Sequence, residues 1–272
     1  MFGWMAVRAL TFLSDYGYED EFAGVCRAVI ARIAPEARVI DLTHGIRPHA
    51  IAEGAGALAR ALPFAPAGVH LAVVDPGVGS ARRAVAVRVA AEERILVGPD
   101  NGLLAPAIER LGGAVEAVDA SRSPFRLEPV SATFHGRDVF APVAARLALG
   151  ASLPEAGEPV DPAGLVRLER ERARVEAGRA VASVAHVDRF GNATLALTRD
   201  ELPSALREGR LSVSAGAVTR EACHARTFAD VAEGELILYE DSSRSLALAV
   251  NRGGAAEALG VGAGDEVVLR PV

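Results

Sequence analysis

The sequence predicts two domains. These are an N-terminal α/β domain with a central, mostly parallel sheet over residues 1–165 and a smaller, mostly β, barrel-like C-terminal domain over residues 166–272. In the first 149 residues, short β-branched runs alternate with amphipathic segments, which is typical of a layered α/β structure. Residues 150–178 are rich in Pro, Gly and charge, which indicates a connection. After it, short apolar runs split by Gly, Asn, Asp and Ser predict strands with little helix between them.

The elements of the first domain follow in a regular order. Three apolar runs predict strands and two amphipathic segments predict helices between them, in the order 7–14, 21–33, 37–48, 50–62 and 68–79.

Polar residues appear where these three strands should end. Ligands bind at the carboxyl ends of strands in open α/β sheets, so we expect Asp15, His44 and Asp75 to converge on one crevice.

The second domain is predicted from five strand-like runs, which are RAVASVAHVDRFGNATLALT, RLSVSAGAV, ELILYEDSS, SLALAVN and DEVVLRPV.

Composition limits the class of protein and its partners. The chain has 272 residues, of which 50% are apolar, and a net charge of -6 without any Lys/Arg run, so nucleic acid and anionic membrane surfaces are not expected partners. No apolar run reaches the length of a membrane span, and the first ten residues do not resemble a signal peptide. We therefore expect a cytoplasmic protein with a small-molecule partner.

Common cofactor and metal motifs do not match. The segment DPGVGSARR (75–83) lacks the Gly-Lys-Ser/Thr ending of a nucleotide-binding loop, and no G-x-G-x-x-G opens a helix. The six histidines lack metal-binding spacing, and the two cysteines, Cys26 and Cys223, read as small buried residues. We expect neither a cofactor nor a bound metal.

Several polar residues in two short interruptions of apolar stretches are candidates for chemistry. Each also has an ordinary structural interpretation. Asp75 suits a turn in Asp-Pro-Gly, His135 suits a partly buried histidine, and Arg137 with Asp138 suits an ion pair at a helix start. Several glycine-bearing polar turns that close apolar runs favour a shared pocket built from loops.

Seven segments in order resemble the S-adenosyl-L-methionine (SAM) hydrolases that form adenosine, also called SAM hydroxide adenosyltransferases. They span roughly residues 8–270 and are TFLSDYGYEDEFAG, VIDLTHGIRPHAIAEGA, HLAVVDPGVGSARRAVAVR, GPDNGLL, TFHGRDVFAPVAARLALG, VDRFGNATLAL and SRSLALAVNRGGAAEALG. The resemblance implies hydrolysis of SAM to adenosine and L-methionine. It also implies a homotrimer with SAM held between the N-terminal domain of one subunit and the C-terminal domain of the next.

The resemblance assigns the catalytic trio to Asp75, Arg82 and His135. Related fluorinating and chlorinating enzymes have a tyrosine at the first position and Tyr-Ser in place of His135-Gly136, so water is the expected nucleophile. The sulfonium is already a good leaving group, so the reaction needs a positioned, partly deprotonated water. Asp75 and His135 can accept its protons, while Arg82 holds the geometry and disfavours protonation of the imidazole. Which member takes the proton stays open.

Binding roles follow from the same resemblance. It implies that Asp15 binds the ribose hydroxyls, that Asp188 and Asn192 hold the methionine end with Phe190 as an apolar wall, and that the adenine lies near Ser243, Arg244 and Asn251.

Two positions depart from the family pattern. Tyr16 stands where Phe is usual, and His49-Ala50 stands where relatives commonly carry an Asp at the second position.

Two alternatives to the hydrolase remain. The first is not an enzyme in its main role, and the second is an enzyme that uses halide in place of water. One is a SAM- or adenosine-binding sensor with vestigial turnover, and the other is a SAM-dependent halogenase. The joint presence of the trio favours the hydrolase over both.

Overall fold

The computed structural model describes residues 7–169, 173–176 and 178–272. Two compact units divide the chain, Met1–Leu168 and Glu169–Val272. The helices are α1 (Phe22–Ile33), α2 (Ile51–Ala61), α3 (Ala105–Arg110), α4 (Ala141–Ala148), α5 (Leu153–Ala156) and α6 (Ala255–Leu259). None of the helices in the described ranges is long and apolar enough to cross a membrane.

The first unit is built on one sheet, whose described strands run in the order β2-β1-β3-β5-β4-β6-β7. Five of these seven described strands point the same way, while β4 and β7 run opposite to them. The strands are β1 (Ala9–Ser14), β2 (Val39–Thr43), β3 (Gly68–Val73), β4 (Ala84–Val89), β5 (Ile95–Pro99), β6 (Ala114–Asp119) and β7 (Glu158–Val160).

Helices cover both faces of this sheet. On one face, Leu10 and Phe12 pack in a core with residues of α1, α4 and α5. On the other face, Leu13 and Leu96 pack with residues of α2 and α3. Successive side chains of a strand alternate between faces, so a sheet buried on both sides needs near-continuous apolar runs, and all six residues of β3 are buried.

The second unit is a closed barrel. Its described strands follow the order β10-β14-β13-β12-β11-β15-β9, and β9 pairs with β10 to close the ring of seven, while β8 lies beside β9. They are β8 (Arg174–Glu176), β9 (Arg179–Val187), β10 (Ala193–Thr198), β11 (Arg210–Ala215), β12 (Val218–His224), β13 (Leu236–Glu240), β14 (Ser245–Val250) and β15 (Glu266–Pro271).

The predicted fold class is confirmed, with corrections in detail. The segment interpreted as a connection contains β7, which pairs with β6 in the first sheet. Strands β4 and β5 form an antiparallel pair without a helix between them. Cys26 is buried as predicted, whereas Cys223 is only partly buried.

Candidate active site

The site begins at the carboxyl ends of two neighbouring parallel strands. Strand β1 is followed by Asp15 and β3 by Val74 and Asp75. The Asp15 backbone N–H donates to the Val73 carbonyl at 3.3 Å, so the two strands remain side by side up to the point where the loops leave the sheet. This edge is where an open α/β sheet binds ligands.

One guanidinium joins the three residues of the predicted trio. Arg82 Nε donates to Asp75 Oδ1 at 2.8 Å, Nη2 donates to Asp75 Oδ2, and Nη2 also donates to His135 Nδ1 at 3.0 Å. The Arg82 and Asp75 side chains are only 10% and 6% exposed. The guanidinium carbon lies 5.1 Å from the centre of the Phe140 ring, so the cation and the ring face make a cation–π contact.

A glycine lets the two loops of the trio meet. Gly79 has φ +76°, and a Cβ built on it would lie 2.5 Å from the Ala132 carbonyl oxygen. Only glycine fits such a contact and conformation without strain. The loop carrying Asp75 and Arg82 therefore lies directly against the segment that leads to His135.

A buried π-helical turn, Gly136–Phe140, follows His135 and leads into α4. Asp138 in this turn is 2% exposed, accepts from the Ser131 backbone N–H at 2.8 Å and pairs with Arg137 at 2.6 Å. These bonds keep the pKa of Asp138 low despite its burial, which alone would raise it. The ion pair predicted for Arg137 and Asp138 is present, and it fixes the turn behind His135.

The bond to Arg82 determines the tautomer of His135. An arginine can only donate, so His135 Nδ1 accepts and the neutral ring carries its proton on Nε2. Burial, and then the charge of Arg82, lowers the pKa of His135. The imidazole is therefore neutral near pH 7 and presents an N–H at its other nitrogen.

Asp15 has a partner that sequence reasoning missed. Its Oδ2 accepts from the backbone N–H of His49 at 2.9 Å. His49 has φ +68°, an uncommon conformation for a residue other than glycine. The donor is a backbone N–H, which every residue except proline has, so the residue types at this place carry no signal for the bond.

His44 does not face a crevice, which corrects the expectation that it joins Asp15 and Asp75. It is completely buried, and its Nδ1 lies 2.7 Å from Ser14 Oγ. Its Nε2 lies 3.3 Å from Asp41 Oδ1, and its ring packs edge-on against Phe12. His44 is a structural residue beneath the loop, because the strand end turns its side chain inward.

In the second unit, Asp188 organises the turn between β9 and β10. Its Oδ1 accepts from the backbone N–H groups of Phe190 and Asn192 at 2.8 and 2.9 Å, and its Oδ2 accepts from Asn192 Nδ2 at 2.8 Å. Phe190 at the tip is 77% exposed. The structure therefore brings these three predicted binding residues together on one turn.

The other predicted residues of the second unit flank β14. Ser243 and Arg244 belong to the turn before it, where Arg244 has φ +66° and donates its backbone N–H to the Asp241 carbonyl at 3.0 Å. Asn251 follows the strand, and its Nδ2 donates to the Val231 carbonyl at 2.9 Å.

The described residues offer no group of three or more His, Cys, Asp or Glu side chains arranged to hold a metal ion.

Comparisons with known proteins match this architecture. The family model of the SAM hydroxide adenosyltransferase N-terminal domain matches residues 10–157, and that of the C-terminal domain matches residues 182–268. A protein of Salinispora tropica named (R)-S-adenosyl-L-methionine hydrolase is 49% identical, over 95% of this chain and 96% of the relative. A protein of the same name from Thermus thermophilus is 41% identical, over 97% of this chain and 100% of the relative.

A solved structure has the same fold along the chain. The crystal structure of an uncharacterized conserved protein from Thermotoga maritima superposes with a TM-score of 0.88 at 35% identity, covering 96% of this chain and 99% of that one. With both family models matched and relatives this similar over nearly the full length, the chain belongs to the SAM hydroxide adenosyltransferase family.

Proposed function

We propose that this protein hydrolyses SAM to adenosine and L-methionine. The observation that carries the proposal is the cluster of Asp75, Arg82 and His135 around one guanidinium at the strand ends. The names of the relatives specify the (R) form, so the (R) epimer at the sulfonium sulfur is the proposed substrate.

The reaction is a displacement at the ribose C5′ carbon. A water oxygen forms a bond to C5′ while the C5′–S bond breaks, and the electron pair leaves with the sulfur of neutral methionine. The attacking oxygen loses one proton, so SAM and water give adenosine, methionine and a proton. The departing thioether needs no acid, and catalysis depends on aligning and deprotonating the water.

We assign the proton to Asp75 and an orienting role to His135. A carboxylate has about four lone-pair sites, and Arg82 occupies two of those on Asp75, which leaves others for the water. His135 Nδ1 is already engaged by Arg82, so the neutral ring offers Nε2–H as a donor to the water oxygen. Through its bonds to both, Arg82 fixes the positions of the Asp75 and His135 side chains relative to each other.

The substrate is then held by residues of both units. Asp15 keeps free lone pairs for the ribose hydroxyls, since among the described residues only its Oδ2 accepts a hydrogen bond, from the His49 backbone N–H. Asp188 and Asn192 bind the amino and carboxylate groups of methionine beside Phe190, and Ser243, Arg244 and Asn251 border the adenine.

The division of these residues supports a shared site. Asp15 and the trio lie before Leu168, whereas the other binding residues lie after Glu169. We propose a homotrimer in which each site combines the first unit of one subunit with the second unit of its neighbour. A cytoplasmic location stays a prediction.

The experiment supplies (R)-SAM to the purified protein in H₂¹⁸O and analyses the products by chromatography and mass spectrometry. We expect methionine and adenosine with ¹⁸O at the 5′ position, unchanged by a chelator or by omitting halide, and slower turnover of the (S) epimer. Asp75→Asn should abolish turnover. Glu116→Gln, which opens the surface pair with Arg88, is the matched control and should leave it unchanged.

Other outcomes identify the alternatives. Saturable SAM or adenosine binding without product would indicate a sensor, and a 5′-halogenated nucleoside in the presence of halide would indicate a halogenase. Activity lost on chelation would contradict the metal-independent mechanism.

A further inference from the structure

Tyr16 lies beside the trio and has no role in the mechanism so far. Its ring packs in an aromatic cluster with Phe22 and Phe134, at centroid distances of 5.9 and 5.8 Å. Phe22 and Phe134 also contact each other at 5.2 Å. The cluster joins the loop after β1, the start of α1 and the residue preceding His135, so the ring of Tyr16 is held in one place.

The hydroxyl of Tyr16 lies against Gly136, the residue that follows His135. A Cβ built on Gly136 would lie 2.1 Å from Tyr16 Oη and 3.0 Å from Cζ, far inside a normal contact. Gly136 does not have a positive φ, so its backbone would accept another residue. Glycine is needed at this position because the tyrosine hydroxyl occupies the space of a side chain.

The hydroxyl is neutral and close to the trio. Burial raises the pKa of Tyr16 well above its usual value, and electrostatic interactions with Cys26, Asp15 and Asp75 raise it further, while Arg82 opposes them. Within the described residues, the side-chain contact that Tyr16 makes by hydrogen bonding is that of its backbone N–H, which donates to Ser14 Oγ at 3.3 Å. Its phenol hydroxyl has no hydrogen-bond partner there. The phenol O–H is thus kept protonated next to the charged groups of the site.

We propose that Tyr16 is a positioning residue for the nucleophile: its hydroxyl closes the side of the water site that borders Gly136 and donates a hydrogen bond to that water. This inference rests on the proposed hydrolysis. Tyr16 and Gly136 form a matched pair, since the hydroxyl and a side chain at 136 exclude each other.

The test is a double-mutant cycle with two readouts. The variants are Tyr16→Phe, Gly136→Ala and the double variant. Tyr18→Phe is the matched control, because Tyr18 is in the same loop but 68% exposed. Thermal unfolding without substrate reports on the contact, and steady-state kinetics with SAM report on the role in catalysis.

We expect Gly136→Ala to lower Tm by roughly 3–9 °C, as overpacking does in a protein of this size. Tyr16→Phe should restore much of that loss, because it removes the hydroxyl oxygen that would lie 2.1 Å from the new Cβ. Tyr16→Phe alone should lower kcat about tenfold, the effect of one neutral hydrogen bond, with KM changed less than about twofold. Tyr18→Phe should change neither quantity.

Each outcome decides one proposal. Additive changes in Tm would overturn the matched pair, and unchanged kcat in Tyr16→Phe, or a loss confined to KM, would overturn the positioning role. A wild-type protein that does not turn over SAM would overturn the proposed function, while the unfolding data would still test the Tyr16–Gly136 contact by itself.

Discussion

Arg82 determines the geometry of the whole trio, because its guanidinium makes both bonds to Asp75 and the bond to His135. Such an arrangement needs several donors in one plane, which arginine has and lysine lacks. Asp75 and His135 therefore act on one water through a common support, and their contributions to catalysis should depend on each other.

We expect Asp75→Ala to lower kcat by roughly 10²–10⁴-fold, the range for positioned acid–base groups, and His135→Ala to lower kcat as well, because it removes the donor that orients the same water. The double variant should be little worse than Asp75→Ala alone, because groups that serve one step are strongly non-additive. SAM affinity, measured by calorimetric titration, should barely change. If His135→Ala kept a near-normal kcat and lost affinity instead, His135 would be a binding residue.

The pH dependence of kcat should reflect the neutral state of His135. Burial and Arg82 lower the pKa of this imidazole below its usual value of 6.5. Protonation at Nδ1 would also break the bond from Arg82. More than half of the maximal activity should therefore remain at pH 6.5, and activity should decline further at lower pH. A kcat profile that is already half lost at pH 6.5 or above would contradict this assignment.

Among the elements, β1 and β3 are joined by a polar contact within the core. His70 on β3 lies with Nδ1 at 2.9 Å from Thr11 Oγ1 and Nε2 at 3.4 Å from Arg94 Nη1. Since arginine donates, Nε2 accepts and Nδ1–H donates to the threonine. Burial, and then Arg94, lowers the pKa of His70 to about 3.

This contact predicts an acid-sensitive stability. The unfolded imidazole has a pKa near 6.5, so between pH 6.5 and about 3 the unfolded state binds more protons than the folded state. Stability is thus highest above pH 6.5 and falls as the pH decreases, by up to about 1.4 kcal/mol per pH unit from this group. Denaturant unfolding of His70→Leu should show a smaller slope over this range. Equal slopes for variant and wild type would exclude His70 as the cause.

The elements with strong periodicity were predictable from the sequence. Helix α1 was predicted at 21–33 and α2 at 50–62, close to their observed bounds. Strand β12 was not predicted, because Ala222 is its only fully buried residue and its pattern carries no apolar signal. Strand β7 was missed because it is three residues long and contains Pro159, which a central strand would not accept.

The site was predictable only in part, and for a different reason. The trio came from resemblance, and the structure brings its members together. The contact between Tyr16 and Gly136 and the bond from His49 to Asp15 depend on how loops far apart in sequence meet, and no local pattern encodes that meeting. The expectation for His44 is wrong because a polar residue after a strand can turn into the core, where Ser14 Oγ lies within hydrogen-bond distance of one ring nitrogen and Asp41 Oδ1 lies 3.3 Å from the other.

At the scale of the whole molecule, the proposed shared site predicts that two inactive proteins can restore activity together. Asp75→Ala damages the first unit and Asn192→Ala the second. After subunit exchange at equal amounts, about a quarter of the sites in a cyclic trimer should combine two intact halves. Activity of the mixture, compared with each variant alone, measures this. A protein that is monomeric by light scattering and fully active would contradict the shared site.

The closure of the barrel has a consequence for synthesis on the ribosome. Strand β15, the last described strand, lies between β11 and β9, so its pairings with these two strands close the ring. The first sheet is complete once β7 has been made. The nascent N-terminal unit can therefore fold while translation continues, whereas the barrel must wait for its last strand. Until then β9 and β11 each expose an unpaired strand edge. A chain on a ribosome stalled before residue 266 would therefore be prone to aggregate through the exposed edges of its second unit, while its first unit is folded.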